Sequence, residues 1–109
     1  MKSEMEIELE IRRMIEKDPD AGKLIEYMDS LQDQGLSGVT AYLIVDSIWG
    51  EYTRYTANNA EEAKRIEIRR CGALQDVAEH IWYDPRNDFQ ENWPYKGNDY
   101  TYYWREKKE

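Results

Sequence analysis

A single histidine gives the chain its clearest opportunity for metal or acid–base chemistry. His80 follows Asp76 by four residues and precedes Asp84 by four, so in a helix the three side chains would share one face. An imidazole between two carboxylates can hold a divalent metal ion or act as a base. The alternative is that the carboxylates only form surface salt bridges. Because the chain has no second histidine and is rich in acids, we predict no metal and no cofactor.

The only cysteine, Cys71, is a second candidate for chemistry. It follows Arg69 and Arg70, and nearby positive charge favours the reactive thiolate. The C-terminal end of a helix acts in the opposite direction, and His80 is the one available base. We therefore interpret Cys71 as a buried, inert residue. One cysteine cannot form an internal disulfide, which fits a reducing compartment.

Motifs that indicate catalysis are absent from the sequence. It contains no glycine-rich phosphate loop, no glycine-framed serine nucleophile and no paired cysteines. A domain this small and this charged rarely encloses a cleft in which carboxylates could catalyse a reaction. We therefore predict that the protein is not an enzyme.

Aromatic and acidic residues are concentrated in the last third of the chain. Nine of the fourteen aromatic residues lie between positions 82 and 104, interleaved with carboxylates. Some of these rings must supply the core, because the chain has only one phenylalanine. The others suit a basic partner, since carboxylates pair with guanidinium groups and rings accept cation–π contacts. The predicted partner-binding residues are Asp84, Asp88, Glu91, Trp93, Tyr95, Asp99 and Tyr103.

Length and charge limit the class of protein. A chain of 109 residues with a net charge of −8 fits one domain, residues 1–109, and disfavours direct binding to nucleic acid. A basic protein surface is the better partner, because a negative field steers association toward positive clefts. No apolar run is long enough to span a bilayer, and the acidic N-terminus does not resemble a secretory signal. We therefore predict a cytoplasmic protein with no membrane partner.

One basic cluster stands out against the acidic background. It comprises Lys64, Arg65, Arg69 and Arg70. Much of this charge can pair within its own helix, because Glu61 and Arg65 are spaced for such a pair. The functional alternative is contact with the acidic N-terminal segment of a second copy, so a homodimer is possible.

The N-terminal elements are predicted from periodicity. Residues 3–17 alternate apolar and acidic types as a strand would, but Ile7, Ile11 and Ile15 also share a helical face, and we favour the helix. A second helix is predicted with Asp18 as N-cap and Pro19 at its first position. It follows helical spacing to residue 31 and ends near Gly35.

The middle of the chain favours a β-hairpin. Residues 39–45 and 51–57 are rich in β-branched and aromatic types, which predicts two antiparallel strands. A helix is the alternative, because Ala41, Val45, Ile48, Tyr52 and Tyr55 also follow helical spacing.

The remaining elements complete the expected fold. Asn59 and Glu62 form a capping box that predicts a helix over residues 60–71 ending at Gly72, and a further helix spans residues 74–83. Residues 84–99 are predicted to form a long ordered loop, and residues 100–105 a last strand. The predicted fold class is therefore α+β: a small antiparallel sheet of about three strands with three to four helices packed on it.

A resemblance accompanies this profile. Its acidic ends read EMEIELE at residues 4–10 and DPRNDFQENWPY at residues 84–95. In size and composition the chain resembles the small phage and mobile-element inhibitors of bacterial defence nucleases, the anti-CRISPR and antirestriction proteins. The resemblance implies a non-enzymatic inhibitor that blocks a basic, nucleic-acid-handling protein. The alternatives are a homo-oligomeric structural or regulatory domain and a small metal-dependent enzyme that uses Asp76, His80 and Asp84.

Overall fold

Helices form all of the regular structure in the part of the chain that the computed structural model describes, residues 2–56 and 61–94. The elements are α1 (Glu4–Lys17), α2 (Ala21–Asp33), α3 (Gly38–Thr56), α4 (Glu61–Tyr83) and the short α5 (Phe89–Asn92). No strand occurs within these two ranges. The predicted α+β class is therefore wrong, and the fold is all-helical. The strand predicted over residues 100–105 lies outside the described residues.

The predicted hairpin is replaced by α3. Ala41, Val45 and Ile48 are each at most 1% exposed, so the helical stripe that they form is the buried one. The predicted hairpin would instead have placed Ile48 in the turn between the strands of residues 39–45 and 51–57. The intrinsic preference of valine, isoleucine and tyrosine for strands spans only about 1 kcal/mol, which burial of a whole helix face outweighs. Helix α3 packs most extensively against α4.

Helix α4 runs without a break through Gly72, where two helices were predicted. Gly72 is exposed and has no neighbouring atom that a β-carbon would meet within 4 Å. Beyond it, Ala73, Leu74 and Val77 are buried in the core. A glycine inside a helix costs about 1 kcal/mol relative to alanine, and the continued burial of the next turns offsets that cost.

Helix α1 confirms the helical interpretation of the N-terminal segment. Ile7, Ile11 and Ile15 are buried at four-residue spacing, whereas Leu9 is 56% exposed. A strand would have buried Leu9 on the same face as Ile7. Ser3 and Glu6 form a capping box at the start, in which each side chain accepts a hydrogen bond from the other residue's backbone N–H.

The boundary between α1 and α2 is two residues later than predicted. Asp18 caps the end of α1, and its backbone N–H donates to the carbonyl oxygen of Met14. The N-cap of α2 is Asp20, whose Oδ1 accepts from the backbone N–H groups of Gly22 and Lys23. Both aspartates suit an N-cap, so composition alone does not choose between them. The predicted cap at Asp18 is therefore wrong.

One apolar core joins the four longer helices and the segment after α4. Its larger side chains are buried on the facing sides of the helices, and the partly buried Cys71 packs against it. The fully buried members are Ile7, Ile11, Ile15, Leu24, Met28, Ala41, Tyr42, Val45, Ile48, Leu74, Val77, Ala78 and Ile81.

Candidate functional site: an acidic face beside the end of α4

An aromatic cluster anchors the segment that follows α4. The cluster is buried, with no member more than 7% exposed, and its ring centroids lie 4.7 to 5.7 Å apart. Its members are Tyr42, Trp82, Phe89 and Trp93. Trp82 stacks on Phe89, and Trp93 meets Tyr42 edge to face. Such pairs contribute about 0.5–1.5 kcal/mol each beyond the burial of their area. The predicted long loop therefore returns to the core through α5.

Asn87 fixes the turn between α4 and α5. Its buried side chain accepts a hydrogen bond from Gln32 Nε2 at 2.6 Å and donates one to the carbonyl oxygen of Ile81 at 2.8 Å. The second bond satisfies a carbonyl in the last turn of α4, which has no partner within the helix. Gly38 lies so close that a β-carbon on it would clash with Asn87 Oδ1. The turn is thus held against both α2 and α3.

Arg86, the residue before Asn87, joins three carboxylates. Its guanidinium donates to Asp29 Oδ1 at 3.0 Å, to Asp33 Oδ1 at 2.9 Å and to Asp84 Oδ2 at 3.0 Å. Desolvation alone would lower the pKa of Arg86. The hydrogen bond to Asp33 and the charges of Asp84 and Asp29 outweigh that effect, and the pKa of Arg86 is raised above its ordinary value.

His80 adds an imidazole to the same group of carboxylates. Its Nε2 lies 3.1 and 3.2 Å from the two oxygens of Asp29. One ligand-type atom from each of Asp29, His80 and Asp84 falls within 4.8 Å of the others. The sequence grouped His80 with Asp76 and Asp84. In the structure, His80 and Asp84 are joined by Asp29 of α2 in place of Asp76.

Asp76 lies instead along a groove beside this group. The groove has a volume of about 530 Å³. Tyr83, which is 42% exposed, contributes an aromatic ring to its wall. The groove is lined by Asp76, Glu79, His80, Tyr83, Asp84 and Pro85.

We use "the acidic face" for the surface formed by this groove and the carboxylates that Arg86 joins. Its five carboxylates exceed the two basic groups among them, Arg86 and His80. The face is therefore negative, and Tyr83 presents a ring within it. The carboxylates of the acidic face are Asp29, Asp33, Asp76, Glu79 and Asp84.

The residues predicted to bind a partner occupy different environments. Asp84 is half-buried and belongs to the acidic face, and Asp88 and Glu91 are exposed on the segment beyond it. Trp93 is 7% exposed and lies in the aromatic cluster, so it supports the segment from inside. Tyr95, Asp99 and Tyr103 lie outside the described residues. The residues that sequence reasoning missed are Asp29, Asp33 and Glu79.

The sequence does show that Asp29 and Asp33 share one face of α2. They are four residues apart on α2, on the side away from Leu24 and Met28, so they form an acidic stripe on its outer face. Nothing in the spacing shows that this stripe meets the end of α4, because the contact joins residues more than 50 positions apart in sequence.

The basic cluster and Cys71 lie at another part of α4. Arg65 and Arg69 are exposed, whereas Arg70 is half-buried and lies 5.9 Å from the Tyr52 ring centroid. Cys71 is half-buried and packs against the core. The side chain of Lys64 is outside the described set.

None of the described helices combines the length and apolar character needed to cross a bilayer. Comparisons of the chain with protein-family models, curated proteins and solved structures found no match.

Proposed function

We propose that the protein is a non-enzymatic inhibitor that binds and blocks a basic, nucleic-acid-handling protein through the acidic face. The observation that carries this proposal is the excess of carboxylates over basic groups around an exposed tyrosine. A cleft that binds a phosphate backbone is lined with lysine and arginine. Carboxylates on a rigid helical surface can occupy such a cleft in place of phosphates.

The geometry of the face suits this role. The helices hold Asp76 and Glu79 three residues apart on α4, and Arg86 fixes Asp29 and Asp84 beside them. A partner's guanidinium groups can form paired hydrogen bonds with such carboxylates, and the ring of Tyr83 can accept a cation–π contact. Pre-positioned side chains lose little conformational entropy on binding, which favours affinity.

The exposed residues beyond the face extend the same charge. Asp88 adopts a left-handed backbone conformation, with φ of 43°, which turns the chain so that Phe89 enters the core. Asp88 and Glu91 remain on the surface. Asparagine also tolerates this conformation, so Asp88→Asn removes the charge and leaves the turn intact.

The proposed partner is a bacterial defence nuclease of the CRISPR or restriction type, met in the cytoplasm of the host cell. The net charge of −8 favours fast association with such a basic protein. In this proposal the protein competes with the nucleic acid and does not bind it.

The test uses purified CRISPR effector complexes and restriction endonucleases as the probes. DNA binding by fluorescence anisotropy and DNA cleavage are measured with the wild-type protein and with the variant Asp76→Asn/Glu79→Gln. The control is Glu4→Gln/Glu10→Gln, which removes the same charge from α1. We expect inhibition of at least one nuclease, and a loss of about tenfold or more in affinity only in the first variant, because each lost charged contact costs about 1 kcal/mol or more.

Inhibition that is equal in the two double variants would contradict the assignment to the acidic face. Failure of every nuclease in the panel to be inhibited would contradict the proposed partner class. A second pair, Asp88→Asn/Glu91→Gln, tests whether the contact extends beyond the acidic face, as the sequence predicts.

A homo-oligomeric structural or regulatory domain is the second candidate function. Met5 and Leu9 are 73% and 56% exposed one turn apart on α1, and Ile68 is 54% exposed on α4 next to Arg69. An acidic apolar surface and a basic apolar surface on one chain are complementary between two copies. Light scattering of the wild type and of Leu9→Glu tests this candidate. A dimer that dissociates in Leu9→Glu supports it, and a wild-type monomer at high concentration rejects it.

A further inference from the structure

Three side chains from separate parts of the fold meet at the end of α4. Asp29 lies in α2, His80 in the last turn of α4, and Asp84 directly after α4. Their ligand-type atoms fall within 4.8 Å of one another. Helices α2 and α4 hold Asp29 and His80, and Asp84 is the first residue after α4, so the arrangement does not depend on a long loop.

We propose that these three residues form a binding site for a divalent transition-metal ion of the zinc class, in exchange for the Arg86 guanidinium. Imidazole nitrogen and carboxylate oxygen are both zinc ligands, at about 2.0–2.2 Å from the metal. Two such ligands in a tetrahedral site are therefore roughly 3.3–3.6 Å apart. His80 Nε2 and the nearer Asp29 oxygen are 3.1 Å apart, so they need to separate by only a few tenths of an ångström to hold an ion.

The type of ligand decides which metals fit. Magnesium and calcium prefer sites made only of oxygen ligands, whereas an imidazole favours zinc, cobalt, nickel and copper. His80 contacts both oxygens of Asp29, so the nitrogen is already directed at the carboxylate with which it would share the ion. The site therefore selects for the second group of metals.

Arg86 is the cation that a metal ion must displace. Its guanidinium contacts Asp29 Oδ1 and Asp84 Oδ2, which are atoms of two of the three ligands. Three carboxylates surround this one guanidinium, so the cluster stays negative after the pairing and attracts a further cation. Removing the guanidinium should increase metal affinity, because the ligand oxygens then lose their competitor.

The cluster is accessible to an ion from solvent. The side chains of His80 and Asp29 are 36% and 37% exposed, and the groove beside them has a volume of about 530 Å³. Partial exposure leaves room for water to complete the coordination of the metal. This inference does not depend on the proposed function, since an ion can bind whether or not a partner protein does.

Cobalt(II) titration of the full-length chain tests the proposal, because the visible spectrum of the ion reports its ligands. The variants are Asp29→Asn, His80→Asn and Arg86→Gln, and Asp76→Asn is the matched control on the same helix. We expect wild-type binding at one site, a decrease of about tenfold or more in affinity in Asp29→Asn and His80→Asn, and an increase in Arg86→Gln. Asp76→Asn should bind as the wild type does.

Binding of equal strength in the wild type and in His80→Asn would overturn the proposal, because the ion would then occupy surface carboxylates only. A loss in Asp76→Asn that matches the loss in His80→Asn would overturn the assignment of Asp29. Circular dichroism establishes that each variant is folded. If Arg86→Gln does not fold, the comparison of His80→Asn with Asp76→Asn still decides the matter.

Discussion

At the scale of single residues, Asn87 connects the end of α4 to two other helices. It is 7% exposed, and its amide satisfies both the Ile81 carbonyl and the Gln32 side chain. Arg86, the neighbouring residue, positions the carboxylates of the acidic face. The position of the acidic face relative to α2 therefore depends on these two adjacent residues.

Replacement of Asn87 by alanine should destabilise the fold by about 1–3 kcal/mol. The Ile81 carbonyl would keep only the long hydrogen bond from the Asp84 N–H, and the half-buried Gln32 side chain would lose its Asn87 partner. Urea denaturation followed by circular dichroism measures this free energy of unfolding. The control is Asn92→Ala, which removes one hydrogen bond from an exposed side chain to the Asn87 carbonyl. A cost for Asn87→Ala that does not exceed the cost for Asn92→Ala would show that the turn is not fixed by Asn87.

Few of the residues that form the acidic face and its supports could be identified from the sequence. The sequence picked out His80 and Asp84 correctly as neighbours, because their separation of four residues is a local property of a helix. It did not identify Asp29, which reaches the site only through tertiary packing. It also treated Trp93 as a contact residue, since a tryptophan beside carboxylates has the same composition whether it faces the core or the solvent.

At the scale of elements, α1 and α3 show when periodicity outweighs amino-acid type. Both segments contain an alternating or β-rich pattern that competes with a helical one. In α1 the helical pattern of three isoleucines was recognised, whereas in α3 the β-branched and aromatic residues led to the wrong prediction of a hairpin. In both cases the stripe that becomes buried against other helices decides the element.

Truncation of one α1 residue on each face distinguishes the two patterns directly. Ile11→Ala should destabilise the fold by about 2–5 kcal/mol, because it leaves a cavity in the core. Leu9→Ala should change the free energy of unfolding by less than about 0.5 kcal/mol, since Leu9 is 56% exposed. Chemical denaturation measures both. A large cost for Leu9→Ala would instead indicate the period-two pattern of a strand.

Two helical glycines, Gly38 at the start of α3 and Gly72 within α4, should respond in opposite ways to replacement by alanine. Gly72→Ala should stabilise the fold by about 0.5–1 kcal/mol, because alanine is the better helix former and the site is open. Gly38→Ala should destabilise it, because the new methyl group would clash with the Asn87 side chain. Thermal unfolding compares the two variants. A stability loss in Gly72→Ala would indicate that the helix ends there, as the sequence suggested.

At the scale of the whole molecule, the excess of acid is organised in space rather than spread evenly. Some carboxylates are used in internal pairs: Arg12 pairs with Glu8 within α1 and with Glu51 of α3. In the acidic face, Asp29, Asp33 and Asp84 share Arg86, whereas Asp76 and Glu79 line the open groove together with Asp84. The sequence predicted that the surface would be negative and that Asp84, after α4, would lie on it. That Asp29 and Asp33 of α2 belong to the same surface is visible only in the folded structure.

The most direct test of the central claim is the salt dependence of the complex between this protein and an inhibited nuclease. Measured from low to high salt, the logarithm of Kd should rise with the logarithm of salt concentration, because screening weakens charge pairing. The slope should decrease in Asp76→Asn/Glu79→Gln and should equal the wild-type slope in Glu4→Gln/Glu10→Gln. A Kd that does not change with salt, or equal slopes in all three proteins, would contradict binding through the acidic face.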